Sequence, residues 1–251
     1  MNLVLPLAYC VAILLAIATG HAVVLGQDTT ESADLLVVVI SGFDSDPSPA
    51  QIEKKSVRGR GNSGMYQLAG DIAARKIATQ FFNWNGTAAG KYTQKNAPGA
   101  SGIATFIRDI HANNPLKHLI LVGHSWGGHT VIDVAKELAN DPPIEVALAV
   151  CVDPSSFSRG QRPAELPSTI RSCVIYYTHN AFVWGPWLNS NRVENVDLGD
   201  AANGFKPKHG RNYSAKFDVS AHTASEWDEG IHEDVLHRIN RRIADENPPD
   251  N

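Results

Sequence analysis

Leu119-Ile120-Leu121-Val122-Gly123-His124-Ser125-Trp126-Gly127-Gly128 is the stretch that decides the fold of this chain. Its first four residues are apolar, as in a strand buried on both faces. A helical pattern follows over residues 130–138. A serine between two glycines at a strand-to-helix junction is a nucleophile elbow. Such a turn is sharp and strained, and Gly123 and Gly127 keep Cβ atoms out of its crowded spots. The Ser125 hydroxyl then projects above the sheet, with a helix N-terminus behind it that favours developing negative charge.

Outward from the elbow, strands and helices alternate. Residues 35–40 are a β-branched and leucine run that ends at Ser41-Gly42-Phe43, and a loop rich in Pro, Asp and Gly follows to about Gly64. Over residues 65–77 helical spacing puts Leu68, Ile72, Ala73 and Ile77 on one face. Residues 79–84 read as a strand, and 101–112 as a helix stopped before Asn113-Asn114-Pro115. The elbow strand covers 116–122 and its helix 130–139, broken at Asp141-Pro142-Pro143. Further strands are expected at 144–152, 170–177 and 193–198. A C-terminal helix carries Ile231, Val235, Ile239 and Ile243 on one stripe. This alternation predicts an α/β protein with a mostly parallel central sheet and helices on both faces, in one domain over residues 35–245. With 251 residues, 43% of them hydrophobic, the chain has ample material for one core.

The formal net charge of -4 and a pI of about 6.2 speak against a nucleic-acid partner. Lys206, Lys208, Arg211 and Lys216 form a modest basic cluster, read as a solvated loop. Residues 3–25 contain no Asp, Glu, Lys or Arg, and the apolar stretch 7–18 suits a secretory signal. Gly20, Ala22 and Gly26 offer cleavage points. Residues 1–26 are therefore expected to be a signal peptide that directs the protein to a secreted or periplasmic location. The alternative is an uncleaved membrane anchor, and a lipid anchor at Cys10 ranks third because Tyr9 fits poorly before it. Cys151 and Cys173 fall in expected buried strands and read as small core residues. Asn85-Gly86-Thr87 and Asn212-Tyr213-Ser214 are glycosylation sequons.

A serine hydroxyl is a poor nucleophile at neutral pH; it needs a base within hydrogen-bond reach, and the base needs an orienting acid. Asp153, in Cys151-Val152-Asp153-Pro154, sits just past an expected strand, where carboxyl ends of strands line the crevice of an open sheet. It could instead cap the following turn. The next strand end, Tyr177-Thr178-His179-Asn180, offers no carboxylate, and Asp197 and Asp200 are weaker rivals. His222 is the expected base, on a loop ahead of a helix that the capping-box pattern Thr223-Ala224-Ser225-Glu226 would start. His209 is its rival; His129 follows the serine too closely, and His232 and His237 read as surface residues of the last helix. The Trp126 N–H and an N–H from Gly42 or Phe43 are expected to bind an oxyanion, although Gly42 equally fits an ordinary turn. Phe182, Trp184 and Trp187 would line a pocket or belong to the core or its rim. Metal-ligand spacings, a P-loop and a dinucleotide fingerprint are all absent from the sequence, so no metal or cofactor is expected.

The motifs around Ser125, Asp153-Pro154 and Ala221-His222-Thr223 resemble those of the α/β-hydrolase superfamily, in its lipase and esterase branches, over roughly residues 35–243. The resemblance implies Ser125 as nucleophile, Asp153 as acid, His222 as base, a covalent acyl-enzyme and no cofactor. Ser41-Gly42 stands where the family often has His-Gly, and residues 155–169 are too few for a large lid. The expected substrate is a small-molecule or lipid ester, with membrane contact through residues 3–25 if they stay attached. A thioesterase, peptidase or acyltransferase would use the same triad, and an inactive binding protein would keep the fold without the chemistry.

Overall fold

The computed structural model describes residues 24–25, 34–42, 64–84, 99–140, 142–155, 165–181, 183, 185–186, 190–200, 202 and 205–246. In chain order the elements are β1 (Val24–Leu25), β2 (Leu35–Ser41), α1 (Gly64–Ala73), β3 (Ala78–Asn83), α2 (Gly99–Asn113) and β4 (His118–His124). There follow α3 (Trp126–Glu137), β5 (Leu148–Val152), β6 (Cys173–Tyr177), β7 (Val193–Asp197), α4 (Val219–Ser225) and α5 (Glu229–Glu246). The strands form one sheet in the order β1-β3-β2-β4-β5-β6-β7. All neighbours are parallel except β1, whose Val24 and Leu25 pair antiparallel with Gln80 and Thr79.

Period-two alternation explains why both faces of the sheet are apolar. Leu36, Val38 and Ile40 of β2 face one layer, with Leu119, Leu121, Ala149, Cys151, Cys173 and Ile175; Ile103 and Ile107 of α2 and Val131, Ile132 and Ala135 of α3 cover them. Val37 and Val39 face the other layer, with Ile120, Val122, Val150, Val174 and Tyr176. There Met65, Leu68 and Ile72 of α1 and Ile231, Val235 and Ile239 of α5 complete the core. Each such aliphatic side chain removed from water contributes roughly 1.5–3 kcal/mol before conformational entropy is set against it. Cys151 and Cys173 are buried free thiols in this core.

Several boundaries differ from the sequence reading. α1 ends at Ala73, because the chain reverses through Lys76 at φ 63°, and Ile77 is buried as a lead-in to β3. Within 144–152 only Leu148–Val152 is strand; Val146 makes a lone bridge to Ile170. α3 starts at Trp126, directly after the serine.

The order of the strands positions the site. β2 lies between β3 and β4, so the chain runs to one side of β2 and then crosses to the other. At such a switch point the carboxyl ends of the two central strands open on a crevice. Gly42 lies at that end of β2 and Ser125 at that end of β4. No helix among the described residues is long and apolar enough to cross a membrane; the expected leader lies outside the described residues apart from Val24 and Leu25.

Candidate active site

Ser125 adopts φ 55° and ψ -120°, a conformation that costs a non-glycine residue about 1–3 kcal/mol. Its surroundings hold it there. The Ser125 N–H donates to the Val152 carbonyl (3.0 Å), and its own carbonyl accepts from the N–H groups of His129 (3.2 Å) and Ser155 (3.1 Å). The flanking glycines leave no room for side chains. A Cβ on Gly123 would lie 2.4 Å from the Gly127 carbonyl oxygen, and one on Gly127 would lie 2.3 Å from that of Ile40.

Asp153 follows β5 at φ 45° and is fully buried. Its backbone N–H donates to the Tyr176 carbonyl (2.7 Å), continuing the sheet by one bond. Its carboxylate accepts three hydrogen bonds: Oδ1 from the Thr178 N–H (2.8 Å), Oδ2 from the Thr178 hydroxyl (3.0 Å) and from His222 Nδ1 (2.7 Å). The other ring nitrogen, Nε2, lies 2.8 Å from Ser125 Oγ. A carboxylate only accepts, so Nδ1 carries the ring proton and Nε2 presents its lone pair to the serine hydroxyl. The structure thus brings Ser125, His222 and Asp153 into one hydrogen-bonded chain, in the geometry a base needs to take the serine proton.

No family model matches the sequence, and no curated protein matches it. Among solved structures, a protein of unknown function from Agrobacterium tumefaciens, provisionally described as an alpha/beta hydrolase, is similar over most of both chains. It shares 12% identity with a TM-score of 0.51, covering 89% of this chain and 96% of that one. The chain has the α/β-hydrolase fold. A serine hydrolase homologue from Coxiella burnetii gives a TM-score of 0.45 at 16% identity, covering 87% and 88% of the two chains. An acetylxylan esterase gives 0.44 at 14% identity, covering 83% and 98%. At such identities the likeness is one of fold alone.

Within this α/β-hydrolase fold, Gly42, directly after β2, approaches the elbow closely. A Cβ on Gly42 would fall 2.8 Å from Ser125 Cβ and 3.1 Å from the His124 carbonyl oxygen, so only glycine fits unstrained. Trp126 opens α3, and its N–H belongs to a first turn whose donors point out along the helix axis. Its indole meets Trp84 edge to face, with ring centroids 4.7 Å apart, an aromatic pair that the sequence reading did not single out. Phe43, Phe182, Trp184 and Trp187 lie outside the described residues.

The rival carboxylates are engaged elsewhere. Asp197 accepts from His179 Nε2 (2.8 Å), the Tyr177 hydroxyl (3.1 Å) and the Gly199 N–H (2.8 Å). Burial pushes the Asp197 carboxyl up, but donation from His179, Gly199 and Tyr177 outweighs it and leaves the pKa below its ordinary value. Asp200 is exposed and accepts from the Ala202 N–H. His209 is held through its backbone N–H, which donates to Asp228 (2.9 Å) at the start of α5, and no hydrogen bond joins its ring to Ser125 or Asp153 among the described residues.

Two expectations about histidines need correction. His222 precedes the last helix, α5, but not on a loop at its start; it lies within α4, a separate short helix capped by Asp218. The Asp218 carboxylate accepts from the N–H of Ser220 (2.9 Å) and Ala221 (3.3 Å), which makes it the stronger cap and leaves Thr223 to Glu226 at the helix's end. His232 is buried, not at the surface, and its Nε2 donates to the Glu226 carbonyl (2.7 Å). The apolar stripe of α5 is two residues wide, Ile231/His232 and Val235/Leu236, and the sequence reading followed only one edge. Thr178 was also missed. Its signal is its place: Val152 pairs with Tyr176, so the second residue past Tyr176 stands beside Asp153.

Proposed function

We propose that this protein is an exported serine hydrolase that cleaves carboxylic esters through an acyl-enzyme. The observation that carries the reading is the Asp153–His222–Ser125 chain of 2.7 and 2.8 Å hydrogen bonds ending on a serine in a strained elbow. His222 Nε2 takes the hydroxyl proton as Ser125 Oγ attacks the ester carbonyl. The tetrahedral oxyanion is bound by the Trp126 N–H and a donor at Gly42 or Phe43. The imidazolium, stabilised by Asp153, then protonates the departing alkoxide. Water, deprotonated by His222, attacks the acyl carbonyl, and collapse of the second intermediate frees the acid and returns the proton to Ser125.

Labelling with a fluorophosphonate tests the chemistry. Wild type should label, and Ser125→Ala and His222→Ala should not. A folded wild type that stays unlabelled sinks the reading in favour of an inactive binding protein. Turnover of soluble p-nitrophenyl esters above thioesters and aminoacyl amides would place the bond cleaved as an ester. Export is supported by the uncharged run over residues 3–25. N-terminal sequencing of secreted protein tests it, and recovery of the full-length chain in the membrane fraction would favour an anchor instead. A cut at Gly20 or Ala22 would keep β1 in the mature chain, and a cut after Gly26 would remove it.

A further inference from the structure

Ser125 is tied to His222 twice, once through its own hydroxyl and once through its neighbour. His124, the last residue of β4, is buried, and its Nε2 lies 3.0 Å from the backbone carbonyl oxygen of His222. A carbonyl only accepts, so Nε2 carries the proton and Nδ1 the lone pair. The Ser225 hydroxyl donates to the same carbonyl at 2.8 Å. The two imidazole rings lie face to face at a tilt, centroids 4.9 Å apart and planes at 31°. Nδ1 is buried. Glu226 Oε2 stands 3.9 Å away, beyond hydrogen-bond reach, and a Cβ on Gly42 would come within 3.2 Å.

We propose that His124 is a positioning residue for the base: its Nε2–H pins the His222 carbonyl and thereby fixes the imidazole that faces Ser125. The inference rests on the reading of Ser125 and His222 as nucleophile and base. The helix that carries His222 has seven residues, too few to be rigid alone. Tertiary ties must hold it. Asp218 caps its start, the Asn180 side-chain N–H donates to the Asp218 carbonyl (2.9 Å), and His124 holds its middle. A neutral ring suits this task, because a second positive charge beside His222 would oppose the imidazolium that forms during acylation. Burial, and next the charge of His222, push the His124 pKa well below the ordinary 6.5, while its bond to the His222 carbonyl opposes them.

The test compares fluorophosphonate labelling rates and thermal melting of wild type, His124→Leu, His124→Asn and His124→Gln. The glutamine amide nitrogen stands about where Nε2 stands; that of asparagine falls short of it. The leucine and asparagine variants should label roughly ten- to a hundredfold slower, the cost of a misplaced catalytic group. Glutamine should recover most of the rate. A folded leucine variant that labels at the wild-type rate overturns the inference, as does a folded glutamine variant as slow as leucine. Should the leucine variant fail to fold, equal rates for glutamine and asparagine overturn it. A wild type that does not label removes the nucleophile reading, and this inference with it.

Discussion

The Asp153 carboxylate and the His222 imidazole meet through a 2.7 Å hydrogen bond although 69 residues separate them in sequence. The bond selects the tautomer that leaves Nε2 free to accept the Ser125 proton. Asp153→Asn should keep the fold but present an amide that can donate toward the ring and stabilise the wrong tautomer. The expected outcome is a loss of roughly 10⁴-fold in ester turnover. Thr178→Val removes one of the three donors on the carboxylate and should cost about tenfold. Steady-state hydrolysis of a p-nitrophenyl ester measures both, and equal losses would mean that Thr178 does more than orient Asp153.

Glycines of this chain divide into those that need to be glycine and those that do not. Gly127→Ala drives a Cβ to 2.3 Å from the Ile40 carbonyl oxygen and 2.6 Å from that of Ser41, and rigid backbone cannot yield cheaply. It should destabilise the protein by at least about 1–3 kcal/mol. Gly70 is inside α1 with no atom within 4 Å of an added Cβ, so Gly70→Ala should stabilise by about 0.5–1 kcal/mol. Urea midpoints at constant m-value report both signs.

These contrasts explain what the sequence could reveal. The elbow is written locally, since its sterics involve residues two to four apart and its flanks carry opposite periodicities. The α/β architecture is legible for the same reason: continuous apolar strands alternate with helical stripes. Placing Asp153 and His222 required only chain order and strand ends. The supporting residues are less visible. Thr178, Asn180, Asp218 and His124 are single polar side chains whose partners lie 25, 38 and 98 residues away or in a turn that only the tertiary fold defines. The Thr223 to Glu226 pattern misled because a capping box is a local signal, and Asp218, held by Asn180, competes with it.

Asp228 should be the most sensitive loop anchor. It is fully buried and accepts from the N–H groups of Lys208 (2.9 Å), His209 (2.9 Å) and Gly230 (2.9 Å) and from the Tyr213 hydroxyl (2.9 Å). It ties the segment before α4 to the start of α5. Asp228→Ala strands these donors, those of Tyr213 and Gly230 buried, and should cost about 3–5 kcal/mol. Hydrogen exchange should show residues 208–213 losing protection first. Retention of both stability and protection would show that water replaces the carboxylate without penalty.

Cys151 and Cys173 are buried on one face of β5 and β6. The hydrogen bond with the neighbouring Cys173 thiol, and next burial, hold the Cys151 thiol well above its ordinary pKa. Both should resist iodoacetamide in the native state and react only at the rate of unfolding, because the thiolate is the nucleophile. Alkylation followed by mass spectrometry in rising urea measures this; rapid modification of folded protein would contradict the packing.

Acid should unfold the protein earlier than its carboxylates alone would require. Burial lowers the His232 pKa below 6.5, against smaller opposing contributions from the Glu226 carbonyl and from Asp71, Asp228 and Glu229. His124 is lowered as well, by burial first. An unfolded histidine titrates near 6.5, so below that pH the unfolded chain binds protons that the native state refuses. The native state's advantage is therefore complete above about pH 6.5 and is lost as pH falls through the depressed native values, with stability rising with pH across that window. His232→Gln, which keeps a donor for the Glu226 carbonyl but cannot titrate there, should flatten part of this slope. Urea midpoints between pH 7.5 and 5, compared for wild type and variant, carry the test. A wild-type midpoint constant across that range would mean that the buried imidazoles take up protons as readily in the native state as in the unfolded chain.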